Sequence, residues 1–239
     1  MTTASPNECP AARRARVEGV LRWAVLVCLA SGLPAAAQGP PVHWLHAGAM
    51  PPGAIGSQRL LRGGPLSGYF QPVRIRAPQG ARISLATEGS FSEPQPGDAL
   101  VGMHVGPVYR LQITDIPNNP GQELFPTVEI IDRLYPPPGL ALRYPVPIEL
   151  TQDELQIALD GMMVTRVIYV DDPNQALPVE QSTEEQPWIE APHGEDPLVV
   201  ADHLGRPVAI LRIGGRVPMA NSQNESFAYG NPPLVQYDP

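Results

Sequence analysis

From Tyr69 onward the chain alternates apolar and polar residues with period two, in short runs that proline and glycine cut before any long helix can form. Val73 and Ile75 point one way while Arg74 and Arg76 point the other. Ser84 separates Ile83 from Leu85, Arg110 and Gln112 separate Tyr109, Leu111 and Ile113, and Glu129 separates Val128 from Ile130. Each run predicts a strand with one buried and one wetted face, the habit of antiparallel sheets. Turn signals fall between the runs, at Pro78 to Gly80, Pro94 to Gly97, Pro117 to Gly121 and Pro136 to Gly139. With 31 prolines and 22 glycines in 239 residues, the predicted fold class is mainly β: an antiparallel β-sandwich or open barrel with two short α-helices packed on it.

The helices are signalled by their ends. Thr151 and Glu154 form a Thr-x-x-Glu capping box, Leu155, Ala158, Leu159 and Met162 follow at helical spacing, and Gly161 stops the helix, which spans about 152–160. Met163 to Val170 then reads as a well-buried strand. A second helix is capped by Asp196, carries Pro197 at its first position and Leu198, Ala201 and Leu204 as its stripe, and ends at Gly205 ahead of a strand from Pro207 to Ile213. Allowing one insertion, Leu155, Ala158, Gly161, Val164 and Val167 align with Leu198, Ala201, Gly205, Val208 and Leu211. That is either a duplication or the chance likeness of two helix-strand units. The organisation that follows is a signal peptide over 1–38, a linker or arm over 39–56, and a β-rich domain over 57–216, divisible into 57–150 and 151–216. A disordered tail over 217–239, rich in Asn, Ser, Gly and Pro, completes the chain.

The leader has a basic start (Arg13, Arg14, Arg16, Arg22), an apolar run from Trp23 to Leu33, and Ala35, Ala36 and Ala37 as a small-residue cleavage signal. The run ends at Pro34, short of the roughly 20 residues that span a bilayer, so export to the periplasm or beyond is expected and no transmembrane span after cleavage. Cleavage removes both cysteines, Cys9 and Cys28, and with them disulfide, thiolate and cysteine-metal chemistry. Losing four arginines and two glutamates takes the formal charge from −8 to about −10, a surface that repels nucleic acid. All 16 basic residues are arginine, which excludes Schiff-base chemistry and a Walker lysine. No Gly-x-Ser-x-Gly elbow occurs either.

Four constellations remain. His43 and His46 have the spacing of two metal ligands, but no local carboxylate accompanies them. Asp171 and Asp172 end one strand, and if that strand pairs with the one after Gly205, they approach His193, Glu195 and Asp196 along one edge. Capping already accounts for Asp196, and a turn before Pro173 accounts for Asp172. Arg62-Gly63-Gly64 and Gly214-Gly215-Arg216 can each form an amide nest beside a guanidinium, or simply a tight turn. His43, His46, Asp171, Asp172, Arg62 and Arg216 are therefore the candidate binding positions, with no catalytic residue, metal or cofactor assigned.

Two runs, Gly63-Gly64-Pro65-Leu66-Ser67-Gly68-Tyr69-Phe70-Gln71-Pro72-Val73 and Phe125-Pro126-Thr127-Val128-Glu129-Ile130-Ile131-Asp132-Arg133-Leu134-Tyr135-Pro136-Pro137, resemble uncharacterised exported proteins of planctomycete-type bacteria. The resemblance covers about 51–217, implies an envelope location, and brings no activity or site residues. Val108 to Pro117 also looks like one strand of prealbumin-type sandwich modules. The function expected is an exported noncatalytic module binding an envelope protein or a cell-wall polymer. The alternative is a carboxylate-dependent hydrolase acting on glycans, which needs two carboxylates about 5 to 10 Å apart and no fixed sequence spacing.

Overall fold

The alternating runs become strands, and they fold into two sheets that share one core. The computed structural model describes residues 52–63, 68–87, 90–174, 176, 186, 188–214 and 232–237, all within the compact unit His43–Pro239. In chain order the elements are α1 (Ala54–Leu61), β1 (Phe70–Arg76), β2 (Arg82–Thr87), β3 (Ser90–Phe91), β4 (Gln95–Pro96), β5 (Asp98–His104), β6 (Val108–Thr114), β7 (Thr127–Ile130), a 3-10 turn (Ala141–Arg143), β8 (Val146–Glu149), α2 (Gln152–Leu159), β9 (Val164–Asp171), α3 (Pro197–Leu204), β10 (Gly205–Ile213) and β11 (Leu234–Tyr237). One sheet runs β11-β5-β1-β8. The other runs β3-β2-β6-β7-β10-β9, with β4 also paired to β2. Among these strands the pairings are antiparallel except β1 with β8, and the sheets do not close into a barrel.

A continuous apolar core joins them. Val73, Ile75, Val101, Met103, Val146 and Ile148 come from the first sheet; Ile83, Leu85, Leu111, Ile113, Val128 and Leu211 come from the second. Leu155 and Ala158 of α2 join this core, and the Thr151–Glu154 capping box that starts α2 is formed as the sequence predicts. A smaller cluster of Ile55, Ile131, Leu198 and Ile210, with Val167 against it, lies under α1 and α3. Strand β10 contributes to both clusters, which is why its GRPVAILRI run is buried on both faces rather than alternating. The two helix-strand units therefore differ: α2 belongs to the main core and α3 to the smaller cluster. Their glycines differ as well, since Gly161 has a left-handed φ of 87° while Gly205 is extended at 173°.

Within the linker or arm expected over 39–56, α1 starts at Ala54 with Ile55 and Gly56 buried, and Ile55 completes the smaller cluster. Three sequence expectations are corrected. The strand expected to be well buried over 163–170 is mostly half-exposed, with Ile168 its buried residue, because β9 lies at the edge of its sheet. The disordered tail over 217–239 does not hold for Leu234–Tyr237, which form β11 against β5. Leu234 packs on the core, and the Tyr109 hydroxyl donates to Pro233 O at 2.9 Å while accepting from His104 N at 2.8 Å. Burial pushes the Tyr109 phenol above its ordinary pKa, against a smaller opposing effect of the His104 hydrogen bond, so it stays a donor. The wetted face expected at Glu129 is instead fully buried, because α1 covers it. Among the described residues no helix is long and apolar enough to cross a membrane.

Candidate functional site

The irregular stretch after β7 is held residue by residue. A β-bulge in β10 leaves Val208 without a partner in β9, and its carbonyl accepts from both Ile131 N (2.9 Å) and Asp132 N (3.2 Å). The nearly buried Asp132 carboxylate takes Arg206 Nη1 at 2.9 Å and Arg59 Nη1 at 3.4 Å, and its other oxygen accepts Arg133 N at 2.8 Å. Arg206 Nη1 also donates to Arg133 O at 2.9 Å. Leu134 N donates at 2.8 Å to Oε1 of Gln71, which is buried near the start of β1. Four successive residues, Ile131 to Leu134, are thus pinned without belonging to a strand.

Above this floor the Arg133 guanidinium lies 4.4 Å from the ring centroid of Tyr135 and 5.3 Å from that of Tyr69, and Arg206 lies 5.4 Å from Tyr135. Cation–π attraction at such distances contributes about 0.5–1 kcal/mol per exposed contact. The result is a ladder, Tyr69–Arg133–Tyr135–Arg206, in which Tyr135 is 65% exposed. Arg133 forms no ion pair with a described carboxylate, since Asp132 turns its side chain to Arg59 and Arg206. Its Nε is buried without a hydrogen-bond partner.

Arg206 also lines an open cleft of about 400 Å³ with Asp171, Asp172, Asp202, His203 and Gly205 among its walls. Here β9 ends against the start of β10, with Asp171 opposite Gly205. Only glycine fits there, because a Cβ would stand 2.1 Å from Val170 O. The predicted pairing of these strands is present, and Asp171 and Asp172 do reach a shared edge. Their companions, however, are Asp202 and His203 from the end of α3 rather than His193, Glu195 and Asp196. Asp172 is engaged as a turn residue, accepting Asn174 N at 2.9 Å and Asn174 Nδ2 at 3.0 Å. Asp196 caps α3, its Oδ1 accepting Leu198 N at 2.7 Å, as the sequence predicts. Asp196→Ala is expected to cost about 1 kcal/mol in a urea melt, the usual worth of such a cap; an unchanged midpoint would show that the cap contributes nothing. Among the described residues no group of three His, Cys, Asp or Glu is placed to hold a metal.

Of the other candidate positions, Arg62 is the exposed C-cap residue of α1. His43, His46 and Arg216 lie outside the described residues. The ladder was not singled out by sequence. Its only signal was Asp132-Arg133-Leu134-Tyr135 ahead of three prolines, a charged and aromatic run ending an apolar strand.

Fold and site together define a β-sandwich, with two helices over a small second cluster, that carries an arginine–tyrosine ladder beside an acidic cleft. In comparisons with known proteins the chain matches no protein-family model, no curated protein and no solved structure.

Proposed function

We propose that this chain is an exported, noncatalytic module of the cell envelope that binds another protein or a wall polymer. The observation that carries the reading is the ladder: an irregular stretch held at four consecutive residues serves to fix Arg133 and a largely exposed Tyr135 at the surface. Preorganised aromatic and arginine side chains of this kind are the residues that dominate binding surfaces. The leader and the resemblance to exported proteins support the envelope location.

The purified chain is expected to sediment with insoluble envelope material. Tyr135→Ala is expected to weaken that retention about tenfold, the effect of losing one hot-spot side chain, with its melting curve unchanged. Retention equal to that of the unaltered chain would sink the proposal. A glycan hydrolase is the second reading, favoured by the cleft that gathers Asp171, Asp172, Asp202 and His203. Turnover of a glycan panel, abolished by Asp202→Asn or Asp171→Asn, would replace the first reading with the second.

A further inference from the structure

We infer that the ladder is a receptor for a carboxylated sugar: Arg133 takes the carboxylate, and the sugar ring lies against Tyr135. The inference rests on the binding-module reading and names the ligand class of that same site. It begins with charge. In a chain of formal charge −8, most described arginines are matched to carboxylates: Arg59 and Arg206 to Asp132, Arg74 to Asp98, Arg76 to Glu149, Arg166 to Glu154 and Arg212 to Glu129. Arg133 is among those that are not, and unlike the exposed Arg82 and Arg143 it is half-buried between two tyrosine rings; the Asp132 carboxylate receives only its backbone N–H.

Stacking then decides what this guanidinium can do. Tyr69 and Tyr135 attract it through their ring faces, and Nε is buried without a partner. The Nη groups are left as its accessible donors, and a planar fork of that kind matches a carboxylate bidentately. Tyr135, largely exposed next to it, supplies an aromatic edge and a hydroxyl that can contact the C–H groups and hydroxyls of a sugar. The neighbouring cleft limits how much negative charge the ligand carries. Arg206 joins the ladder to Asp171, Asp172 and Asp202, whose charges repel a run of anions within a Debye length of about 8 Å but accept hydrogen bonds from hydroxyls. The ligand that fits both parts is a hydroxyl-rich glycan with spaced carboxylates rather than an acidic peptide.

The full chain is to be titrated calorimetrically with three probes: an oligosaccharide of neutral sugars with hexuronate residues spaced along it, the same oligosaccharide with its carboxyl groups reduced to alcohols, and a glutamate-rich peptide. The hexuronate probe is expected to bind, and reduction to weaken it about 10- to 100-fold, the range for a charge-assisted hydrogen-bonded pair. Arg133→Gln should weaken the hexuronate probe by the same factor and leave the reduced probe unchanged, while Tyr135→Ala weakens both. If Arg133→Gln fails to fold, Arg133→Lys keeps the charge without the fork and should still lose most of the preference. Equal binding of the two sugar probes, tighter binding of the peptide, or an Arg133→Gln variant that binds as before overturns the inference. If neither sugar binds while Tyr135-dependent sedimentation with envelope material persists, this inference falls and the module reading stands; if sedimentation is absent too, both fall.

Discussion

Glu129→Ala is expected to remove about 3–5 kcal/mol of stability, the cost of stranding one member of a buried ion pair. Glu129 is fully buried, and Arg212, whose side chain is 11% exposed, reaches it at 3.0 Å. The second carboxylate oxygen accepts the Gly56 N–H at 3.2 Å, one of the first-turn amides of α1 that find no acceptor within their own helix. One side chain of β7 therefore neutralises a guanidinium of β10 and caps a helix whose Ile55 packs with Ile210 of β10. Removing it leaves a charge and an amide buried together. A urea melt measures the loss, and for a chain of this size each kcal/mol lowers the thermal midpoint by about 2–4 °C. The paired change Glu129→Leu with Arg212→Met should recover much of the loss, because an apolar pair needs no desolvation of charge. A single variant that loses less than about 1 kcal/mol would show that the pair is not a structural anchor.

The parts of the fold legible in sequence are those whose signal is local. Thr151 with Glu154, and Asp196 with Pro197, place α2 and α3 because a cap is a contact between near neighbours. Alternation places β1, β2, β6 and β7, whose polar positions break the apolar run at every second residue. It does not reveal β5. Ala99 to Met103 are all buried in the middle of their sheet, so no period survives, and Gly102 reads as a breaker. That glycine is in fact a close approach, since a Cβ there would stand 2.8 Å from the Tyr237 hydroxyl and 3.0 Å from the Phe70 Cβ. Strand β8 is hidden by Pro147, which an edge strand tolerates where a central one does not.

The site divides in the same way. Asp171 and Asp172 were visible as paired charges ending an apolar strand, and the cleft contains them. Asp202 and His203 carry no signal of their own beside the apolar stripe of α3, and only the pairing of β9 with β10 brings that end of the helix beside Asp171. The ladder was beyond reach for a stronger reason. Tyr69 and Arg133 belong to segments far apart in the chain, and what joins them is the hydrogen bond between Gln71 and Leu134, which no spacing rule encodes.

Gly56→Val tests how the floor of the ladder is supported, and its expected effect is about 3 kcal/mol or more. Helix α1 lies backbone to backbone on the turn between β5 and β6: a Cβ at Gly56 would stand 2.4 Å from Gly106 Cα, where no flexible side chain can yield. The helix must lift. Lifting exposes Ile55, whose burial is worth about 1.5–3 kcal/mol, and breaks the Gly56–Glu129 bond, worth about 1.5–3 kcal/mol as a contact with a charged acceptor. Strain from the new side chain adds to both. Gly139→Ala is the control, a left-handed glycine with open space around its missing Cβ, and it should cost far less. Trypsin gives a second measure, since Arg59 and Arg62 flank the end of α1 and cleavage there should accelerate in Gly56→Val while the main core stays protected. Cleavage and melting unchanged from the parent chain would mean that α1 is not wedged by contact with Gly106. If the helix does lift, Arg59 leaves Asp132, and the stretch bearing Arg133 and Tyr135 loses one of its anchors. Ligand binding should then weaken in a variant altered at a residue outside the ladder itself, a coupling that a surface patch without this floor would not show.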